Sequence, residues 1–309
     1  MAGKMNEAFI AGREVIEQGE VATYIPELGK ANKNDLGICI KTLDGKVFTE
    51  GDYQKRFTIQ SISKVISLSA AIRICGYDKV FSKVGMEPSG ESFNSLVELD
   101  LRKNIPFNPM INSGALTTAS LLVPYMTFED MLDYTKKVCM DEDITMNDEV
   151  YRSEMKNASR NRAIAYLLES KGIIENGVDR SLMLYTKMCS MSVTAESLAN
   201  FALLLANDGV SPVDNKRLID SRNVQVLKTI MLTCGMYDGS GEFAVKVGLP
   251  TKSGVGGGLM SVCDKEAGIG IYGPSLDDKG NSIAGCKILE VLSNKMDLHL
   301  FSRTKMDTE

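Results

Sequence analysis

Strand-like segments lie near both ends of this 309-residue chain, and helical patterns fill the sequence between them. Residues 36–43 and 46–50 flank an Asp-Gly pair, which is a strong signal for a β-hairpin. Residues 258–263 and 267–272 are short runs rich in strand-forming residues. Because strands from distant parts of a chain can share one sheet, we predict an antiparallel sheet built from N- and C-terminal strands and flanked by helices.

Helical hydrophobic spacing dominates the middle of the chain and also occurs near each end. The predicted helices cover residues 5–19, 62–75, 112–123, 128–139, 160–171, 179–189, 194–207, 221–234 and 283–295. This distribution predicts an α+β fold in which residues 1–309 form one unit of two lobes. Residues 1–61 with 246–309 would form an α/β lobe, and residues 62–245 an inserted, mainly helical lobe. A cleft between the lobes is the default place for a site.

The chain contains one histidine, His299, which limits the available chemistry. A Ser-His-Asp triad, a His-rich zinc site or a histidine base would each need this residue. Its position near the end of the chain favours a packed, structural role. Seven cysteines without a C-x-x-C pair argue against a disulfide framework or structural zinc. We therefore expect no metal and no cofactor, and free thiols in a reducing compartment.

The charge balance argues against two classes of partner. The formal net charge is −5, so nothing in the composition attracts nucleic acid or anionic lipid. The N-terminal segment lacks the apolar core of a signal peptide, and no run of 18 apolar residues occurs. We expect a soluble, cytoplasmic protein that binds neither nucleic acid nor membrane.

A serine and a lysine three residues apart offer nucleophilic chemistry without histidine. The S-x-x-K pattern occurs three times, but Ser153/Lys156 and Ser302/Lys305 lie in polar stretches. Lys64, by contrast, is the only charge between residues 61 and 72, in a segment that is apolar nearly all round. On a helix, Ser61 would share a face with Lys64, and a desolvated lysine amine can accept the serine proton. The alternative is a Lys64 whose amine reaches the surface.

Two further segments combine polar residues with helix or strand ends. Residues 252–258 read Lys-Ser-Gly-Val-Gly-Gly-Gly, which lets the backbone approach a ligand closely and offer N–H groups to an oxyanion. A tight connection is the alternative. Asn112 stands at the start of a predicted helix, where a capping role and a ligand contact are equally well supported.

Glu154, Asn161 and Tyr237 complete the candidate residues. Glu154 and Asn161 are seven residues apart, so they share a face if one helix continues through both, and together they suit an ammonium group. A solvated surface is the alternative. Tyr237 lies in a polar loop, where it could pass a proton or simply anchor the loop.

Taken together and in this order, these segments resemble the serine-dependent, bacterial-type glutaminase family. The matching motifs are residues 24–28, 60–64, 87–90, 108–112, 153–154, 160–161, 234–238 and 252–257. The resemblance extends from about Gly19 to about Ser293 and departs at Thr23 and Ser113, neither of which is a catalytic group. It implies a β-lactamase/transpeptidase-like fold and hydrolysis of L-glutamine to L-glutamate and ammonia through a glutamyl-serine ester.

The resemblance also assigns roles to individual residues. The catalytic set is Ser61 as nucleophile, Lys64 as its base, Tyr24 and Tyr237. The substrate contacts are Ser61, Asn112, Glu154, Asn161, Tyr185, Tyr237 and Val255. The family forms dimers and tetramers, so the resemblance implies a homodimer or homotetramer. Two alternatives remain: a β-lactamase or D,D-peptidase with the same S-x-x-K and K-S-G elements, and a non-catalytic amino-acid-binding protein.

Overall fold

The main sheet joins an N-terminal hairpin to three C-terminal strands in the computed structural model, which describes residues 2–89 and 105–302. In chain order the strands are β1 (Gly37–Thr42), β2 (Val47–Gly51), β3 (Phe57–Thr58), β4 (Thr145–Met146), β5 (Met191–Val193), β6 (Thr251–Gly254), β7 (Gly258–Cys263) and β8 (Ala267–Tyr272). The strands are antiparallel in the order β2-β1-β8-β7-β6. The pairing of β1 with β8 therefore connects the N-terminal hairpin to the C-terminal strands. The predicted α+β fold and its sheet are confirmed.

The helices follow the predicted pattern closely. They are α1 (Ala2–Val15), α2 (Ser63–Cys75), α3 (Tyr77–Phe81), α4 (Asn112–Leu122), α5 (Phe128–Cys139), α6 (Asp148–Lys156), α7 (Ser159–Ser170), α8 (Val178–Cys189), α9 (Ala195–Ala206), α10 (Ser221–Cys234), α11 (Ser240–Lys246) and α12 (Ile283–Met296). The sequence pattern does not predict α3, α6 and α11, which at 5, 9 and 7 residues are too short to display clear periodicity. Within the described ranges, every helix is too short or too polar to cross a bilayer.

Helices cover both faces of the main sheet. Ile269 and Ile271 of β8 pack in one cluster with residues of α1 and α12. The alternate positions Gly268 and Gly270 face the other way, toward α9. A Cβ at Gly268 would lie 2.2 Å from the Ala199 carbonyl oxygen, and one at Gly270 would lie 1.8 Å from the Ala195 carbonyl oxygen. Glycine is therefore required at both positions for α9 to pack this closely.

α9 belongs by sequence to the segment 62–245, yet it packs directly on the sheet. Helices α3, α4 and α10 pack against the buried helix α2, whereas α7 and α8 pack on α4 in a separate apolar cluster. The small sheet β3-β5-β4 contributes Phe57, Met191 and Val193 to the cluster around α2. The division into two lobes stays a prediction. The motif 87–90 ends at Gly90, and Gly90 and Lys305 lie outside the described residues.

Candidate active site

Ser61 and Lys64 stand at the junction of a short 3-10 turn and α2. The turn comprises Gln60–Ile62, and α2 begins at Ser63, so Lys64 lies in the first turn of this helix. Lys64 is only 1% exposed and Ser61 is 7% exposed. The alternative in which the Lys64 amine reaches the surface is therefore wrong.

The Lys64 amine has a defined set of partners. Its Nζ donates to the Met110 carbonyl oxygen at 3.1 Å and to Asn112 Oδ1 at 2.7 Å. Burial lowers the pKa of Lys64 to about 8, although Cys189 and Glu154 act in the opposite direction when they are ionised. A neutral amine has two N–H groups, which these two acceptors can satisfy. Its lone pair then remains available to accept a proton.

Asn112 connects Lys64 to two other predicted residues. It is the first residue of α4, but the capping position belongs to Ile111, which makes no side-chain cap. Asn112 Oδ1 also accepts from the Tyr185 hydroxyl at 3.3 Å, and its Nδ2 donates to Asn161 Oδ1 at 2.9 Å. The capping interpretation of Asn112 is therefore wrong, because both ends of its amide serve this network.

Glu154 and Asn161 do not share one continuous helix. α6 ends at Lys156 and α7 begins at Ser159, with Asn157 between them. The Asn157 side chain donates to the Ser153 carbonyl oxygen at 2.8 Å, a local bond of the kind that competes with helix continuation. The argument from a shared helical face therefore does not apply. Tertiary packing nevertheless directs Asn161 to Asn112.

The Glu154 carboxyl group is buried and only partly satisfied. Burial raises the pKa of Glu154 to about 8, while the charge of Lys64 and a hydrogen bond from Gln60 oppose this rise. Its Oε2 atom has no hydrogen-bond partner among the described residues. A buried acceptor without a partner is costly, and a cationic N–H donor would satisfy it.

Tyr237 connects the candidate nucleophile to strand β6. Its hydroxyl donates to the Ser253 carbonyl oxygen at 3.3 Å and also interacts with the Ser61 side chain and the Val255 backbone. Burial raises the pKa of Tyr237, so the hydroxyl stays protonated. Its backbone has a φ of +54°, a left-handed conformation that a non-glycine residue adopts only where the surroundings hold it.

The glycine-rich segment, residues 254–258, begins at the end of β6 and lies against the turn that carries Ser61. A Cβ at Gly254 would lie 2.8 Å from the Ile59 carbonyl oxygen, and one at Gly256 would lie 2.5 Å from that of Thr58. Only glycine permits this close approach. Val255 stands between the two glycines, and its backbone interacts with the Tyr237 hydroxyl, which also contacts the Ser61 side chain.

Tyr24 lies on the solvent side of this group. It is 57% exposed, and it is close enough to Tyr237 and Glu154 to interact with them electrostatically. Its neighbours Ala22 and Ile25 pack in one apolar cluster with Tyr237 and Val255. Tyr24 therefore lies at the solvent-exposed edge of this group of residues.

Two residues of this site were not among the predicted site residues. Lys252 is completely buried; it donates to the carbonyl oxygens of Gly235 at 3.0 Å and Ser253 at 2.6 Å, and its Nζ lies 4.6 Å from the centre of the Tyr237 ring. Burial, and then the charge of Lys64, hold the pKa of Lys252 well below its usual value. The signal that could have found Lys252 is its place directly before the glycine-rich segment.

Gln60 is the second such residue. Its side chain donates to Thr58 Oγ1 at 3.2 Å and hydrogen-bonds the Glu154 carboxylate. Its φ of +49° is left-handed. Gln60 begins the motif 60–64, but the motif alone does not indicate this contact, because the contact depends on a backbone conformation that tertiary packing imposes.

His299 packs outside this site. The imidazole lies against Gly248, and its Nδ1 accepts from the Phe301 backbone N–H at 3.1 Å. In the part of the chain that the structure describes, no three His, Cys, Asp or Glu side chains form a group that could hold a metal ion.

Comparisons with known proteins identify close relatives. The family model described as Glutaminase matches residues 19–301. Glutaminase 2 of Clostridium perfringens is 54% identical over 293 residues, covering 94% of this chain and 96% of that protein. The glutaminase of Clostridium tetani is 50% identical, covering 97% of this chain and all (100%) of that protein.

Solved structures of bacterial proteins share the fold. A probable glutaminase of Bacillus subtilis superimposes with a TM-score of 0.89 at 37% identity, covering 97% of each chain. Another structure, described as probable glutaminase from Bacillus subtilis complexed with 6-diazo-5-oxo-L-norleucine, has a TM-score of 0.85 at 38% identity. It covers 96% of this chain and 94% of that one.

Proposed function

Because the chain belongs to the glutaminase family, it hydrolyses L-glutamine to L-glutamate and ammonia, and we propose that Ser61 is the nucleophile and Lys64 its base. One observation carries this assignment: the Lys64 amine is buried, its pKa is lowered to about 8, and its two hydrogen-bond acceptors leave the lone pair of the neutral form unused. Ser61 is one helical turn away, within the same buried junction.

The first chemical step forms the acyl-enzyme. Neutral Lys64 takes the Ser61 hydroxyl proton as Oγ attacks the side-chain carbonyl carbon of glutamine. The carbonyl oxygen gains negative charge, and the backbone N–H groups of Ser61 and Val255 are the proposed donors to it. Such a donor contributes about 3–4 kcal/mol to transition-state stabilisation in a comparable hydrolase. The close approach at Gly254 and Gly256 supports this role for Val255.

The second step releases ammonia and then glutamate. Tyr237 gives its hydroxyl proton to the leaving nitrogen as the carbon–nitrogen bond breaks, and the proton held on Lys64 restores the hydroxyl. Water then attacks the glutamyl-serine ester with Lys64 as base, and Ser61 regains its proton. The contact of the Tyr237 hydroxyl with Ser61 supports this role, and its raised pKa means that the hydroxyl still carries its proton when the leaving nitrogen needs it.

The substrate head group is proposed to bind beside this junction. Glu154 pairs with the α-ammonium, since its Oε2 is buried without a partner among the described residues. Asn112, Asn161 and Tyr185 hydrogen-bond the remaining head-group atoms, and Tyr24 closes the entrance. The existing bonds among Asn112, Asn161 and Tyr185 hold these groups in position before substrate arrives.

The mechanism is tested by measuring ammonia release from glutamine by the wild type and by Ser61→Ala. We expect the folded variant to be inactive, and activity near that of the wild type would rule out Ser61 as nucleophile. A chromogenic β-lactam serves as the alternative substrate for the same enzyme. Dialysis against EDTA should leave the wild-type rate unchanged, because each proposed step uses only the side chains and backbone of this chain.

The cellular location and the oligomeric assembly of the enzyme are part of the same proposal. We propose a cytoplasmic enzyme that assembles as a homodimer or homotetramer. Its cysteines, all within the described ranges, are free, which suits a reducing compartment, and the resemblance to the family supports the assembly. Light scattering on the purified protein measures the assembly directly.

A further inference from the structure

A cavity of about 260 Å³ lies beside the turn that carries Tyr237, outside the catalytic group. Met236 and Gly239, which flank Tyr237 closely in sequence, line it, whereas Ser61, Lys64 and Tyr237 do not. Its other walls come from α11, the turn 277–281 and α12. This volume suits a molecule of about amino-acid size, since pockets for drug-sized ligands begin near 300 Å³.

The cavity combines an apolar floor with charges of both signs. Phe243, Val247 and Ile283 contribute apolar surface. The charged lining residues are Glu242, Lys246, Asp277, Lys279, Lys287 and Glu290, three of each sign. A lining with balanced charge matches a zwitterion better than a simple anion or cation.

The ion pairs around the cavity leave one lysine loosely held. Glu242 accepts from Lys246 at 2.6 Å and lies 3.6 Å from Lys279. Lys287 and Glu290 pair separately at 3.2 Å. Because Glu242 is already paired with Lys246, the Lys279 ammonium is the cation most available to a carboxylate.

Asn281 supplies an independent sign of a missing ligand. It lines the cavity and is 3% exposed, and its Oδ1 has no hydrogen-bond partner among the described residues. Its backbone N–H is fixed by Asp277 Oδ1 at 2.8 Å, so the turn itself is well held. A buried amide oxygen needs a donor, and a ligand ammonium supplies one when the turn 277–281 moves enough to uncover this atom.

We propose that this cavity binds a small α-amino acid with an apolar side chain. The carboxylate pairs with Lys279, the ammonium binds Asn281 Oδ1 and Glu290, and the side chain packs on Phe243 and Val247. The product glutamate is a poor fit, because its side-chain carboxylate would face the apolar floor.

The cavity is also placed to influence the reaction, a consequence that rests on the role proposed for Tyr237. A Cβ at Gly280 would lie 3.6 Å from the Tyr237 ring and 3.3 Å from Val255 Cγ1. One at Gly239 would lie 3.3 Å from Lys279 Cδ. The turn 277–281 therefore stands between the cavity and two catalytic elements, and an occupant that moves it changes kcat.

Binding is tested by calorimetry with L-phenylalanine and L-leucine as probes. The wild type should bind at least one probe at millimolar concentration. Lys279→Met should weaken binding about tenfold or more, and Cys286→Phe, which fills the cavity from α12, should abolish it. Lys216→Met is the matched control, because Lys216 makes a surface pair with Asp214 at 3.0 Å and does not line the cavity.

Glu154→Gln separates this cavity from the catalytic site. Binding should survive in Glu154→Gln, since Glu154 lies in the catalytic group and does not line this cavity. Absence of binding to the wild type, or binding lost in Glu154→Gln and retained in Cys286→Phe, would overturn the proposal. If the thermal melt shows that Cys286→Phe does not fold, the comparison of probe binding by Lys279→Met and by the control Lys216→Met tests the proposal instead.

The effect on turnover is a separate measurement. The bound probe should change kcat of the wild type at saturating glutamine. The same probe concentration should leave kcat of Lys279→Met unchanged. An unchanged wild-type kcat would refute the coupling to Tyr237. Calorimetry does not depend on turnover, so failure of the proposed mechanism and failure of the second site are distinguishable.

Discussion

Lys64 Nζ lies 2.7 Å from Asn112 Oδ1, and this contact joins the candidate base to the residues proposed to hold the substrate head group. The same Oδ1 accepts from Tyr185, and the amide nitrogen donates to Asn161. A change at Asn112 should therefore affect both proton transfer and substrate binding.

Asn112→Asp should slow the reaction by holding Lys64 in its charged form. A carboxylate this close raises the pKa of a lysine, typically by about 1–3 units for an opposite charge within hydrogen-bonding range. At neutral pH we expect kcat to fall about tenfold to a thousandfold, and its pH profile to shift toward alkaline pH. Asn112→Ala removes the contact without adding charge, so it should lose rate without this alkaline shift. Identical profiles for the two variants would contradict the electrostatic explanation.

Removing either member of the Ser61 and Lys64 pair should abolish turnover. Loss of a nucleophile or its base commonly costs several orders of magnitude in kcat. Lys156→Met is the matched control, because Ser153 and Lys156 form the same S-x-x-K pattern but Lys156 is exposed. Ammonia release and thermal melts of Ser61→Ala, Lys64→Met and Lys156→Met make the comparison. Substantial activity in folded Lys64→Met would require another base.

Activity should rise with pH from about 7 to 9 as Lys64 loses its proton. The pKa of Lys64 is lowered to about 8 by burial, so the reactive neutral form is the minor form below that pH. The charge of Glu154 opposes this lowering. Glu154→Gln should therefore shift the kcat profile to lower pH, even as it impairs substrate binding. A kcat that is flat or falls across this range would contradict Lys64 as the base.

The sequence predicts β1, β2, β7, β8 and α2 well because these elements depend on local patterns, whereas it does not predict the edge strand β6 or the three short strands of the small sheet. Lys64 is the only charge in an apolar run, and that pattern correctly indicates its burial. The pattern places the start of α7 within one residue but does not predict α6, so it does not show how Glu154 is oriented relative to Asn161. The left-handed backbones of Gln60 and Tyr237 are equally hidden, since neither residue type requires them.

Gly256→Ala should reduce kcat without unfolding the enzyme. The added Cβ would lie 2.5 Å from the Thr58 carbonyl oxygen, so the backbone around Val255 must move away from Ser61. A displacement of this kind can cost up to about a hundredfold in rate. Gly3→Ala is the control, because a Cβ there meets nothing within 4 Å and the residue lies in helix α1. Full activity in Gly256→Ala would exclude a close oxyanion contact from this segment.

Glu154 should set selectivity for a free α-amino group. Its buried Oε2 has no partner among the described residues, and Gln60 hydrogen-bonds the same carboxylate, so the group is positioned but not satisfied. Removing one partner of a buried charge pair costs about 2–5 kcal/mol, so Glu154→Gln should raise KM for glutamine by a factor of about thirty or more. N-acetylglutamine lacks the ammonium, so the wild type should use it poorly and Glu154→Gln should use it about equally poorly. The measurement is kcat and KM for both enzymes on both substrates. Equal losses on the two substrates would show that Glu154 acts in catalysis or folding instead of recognition.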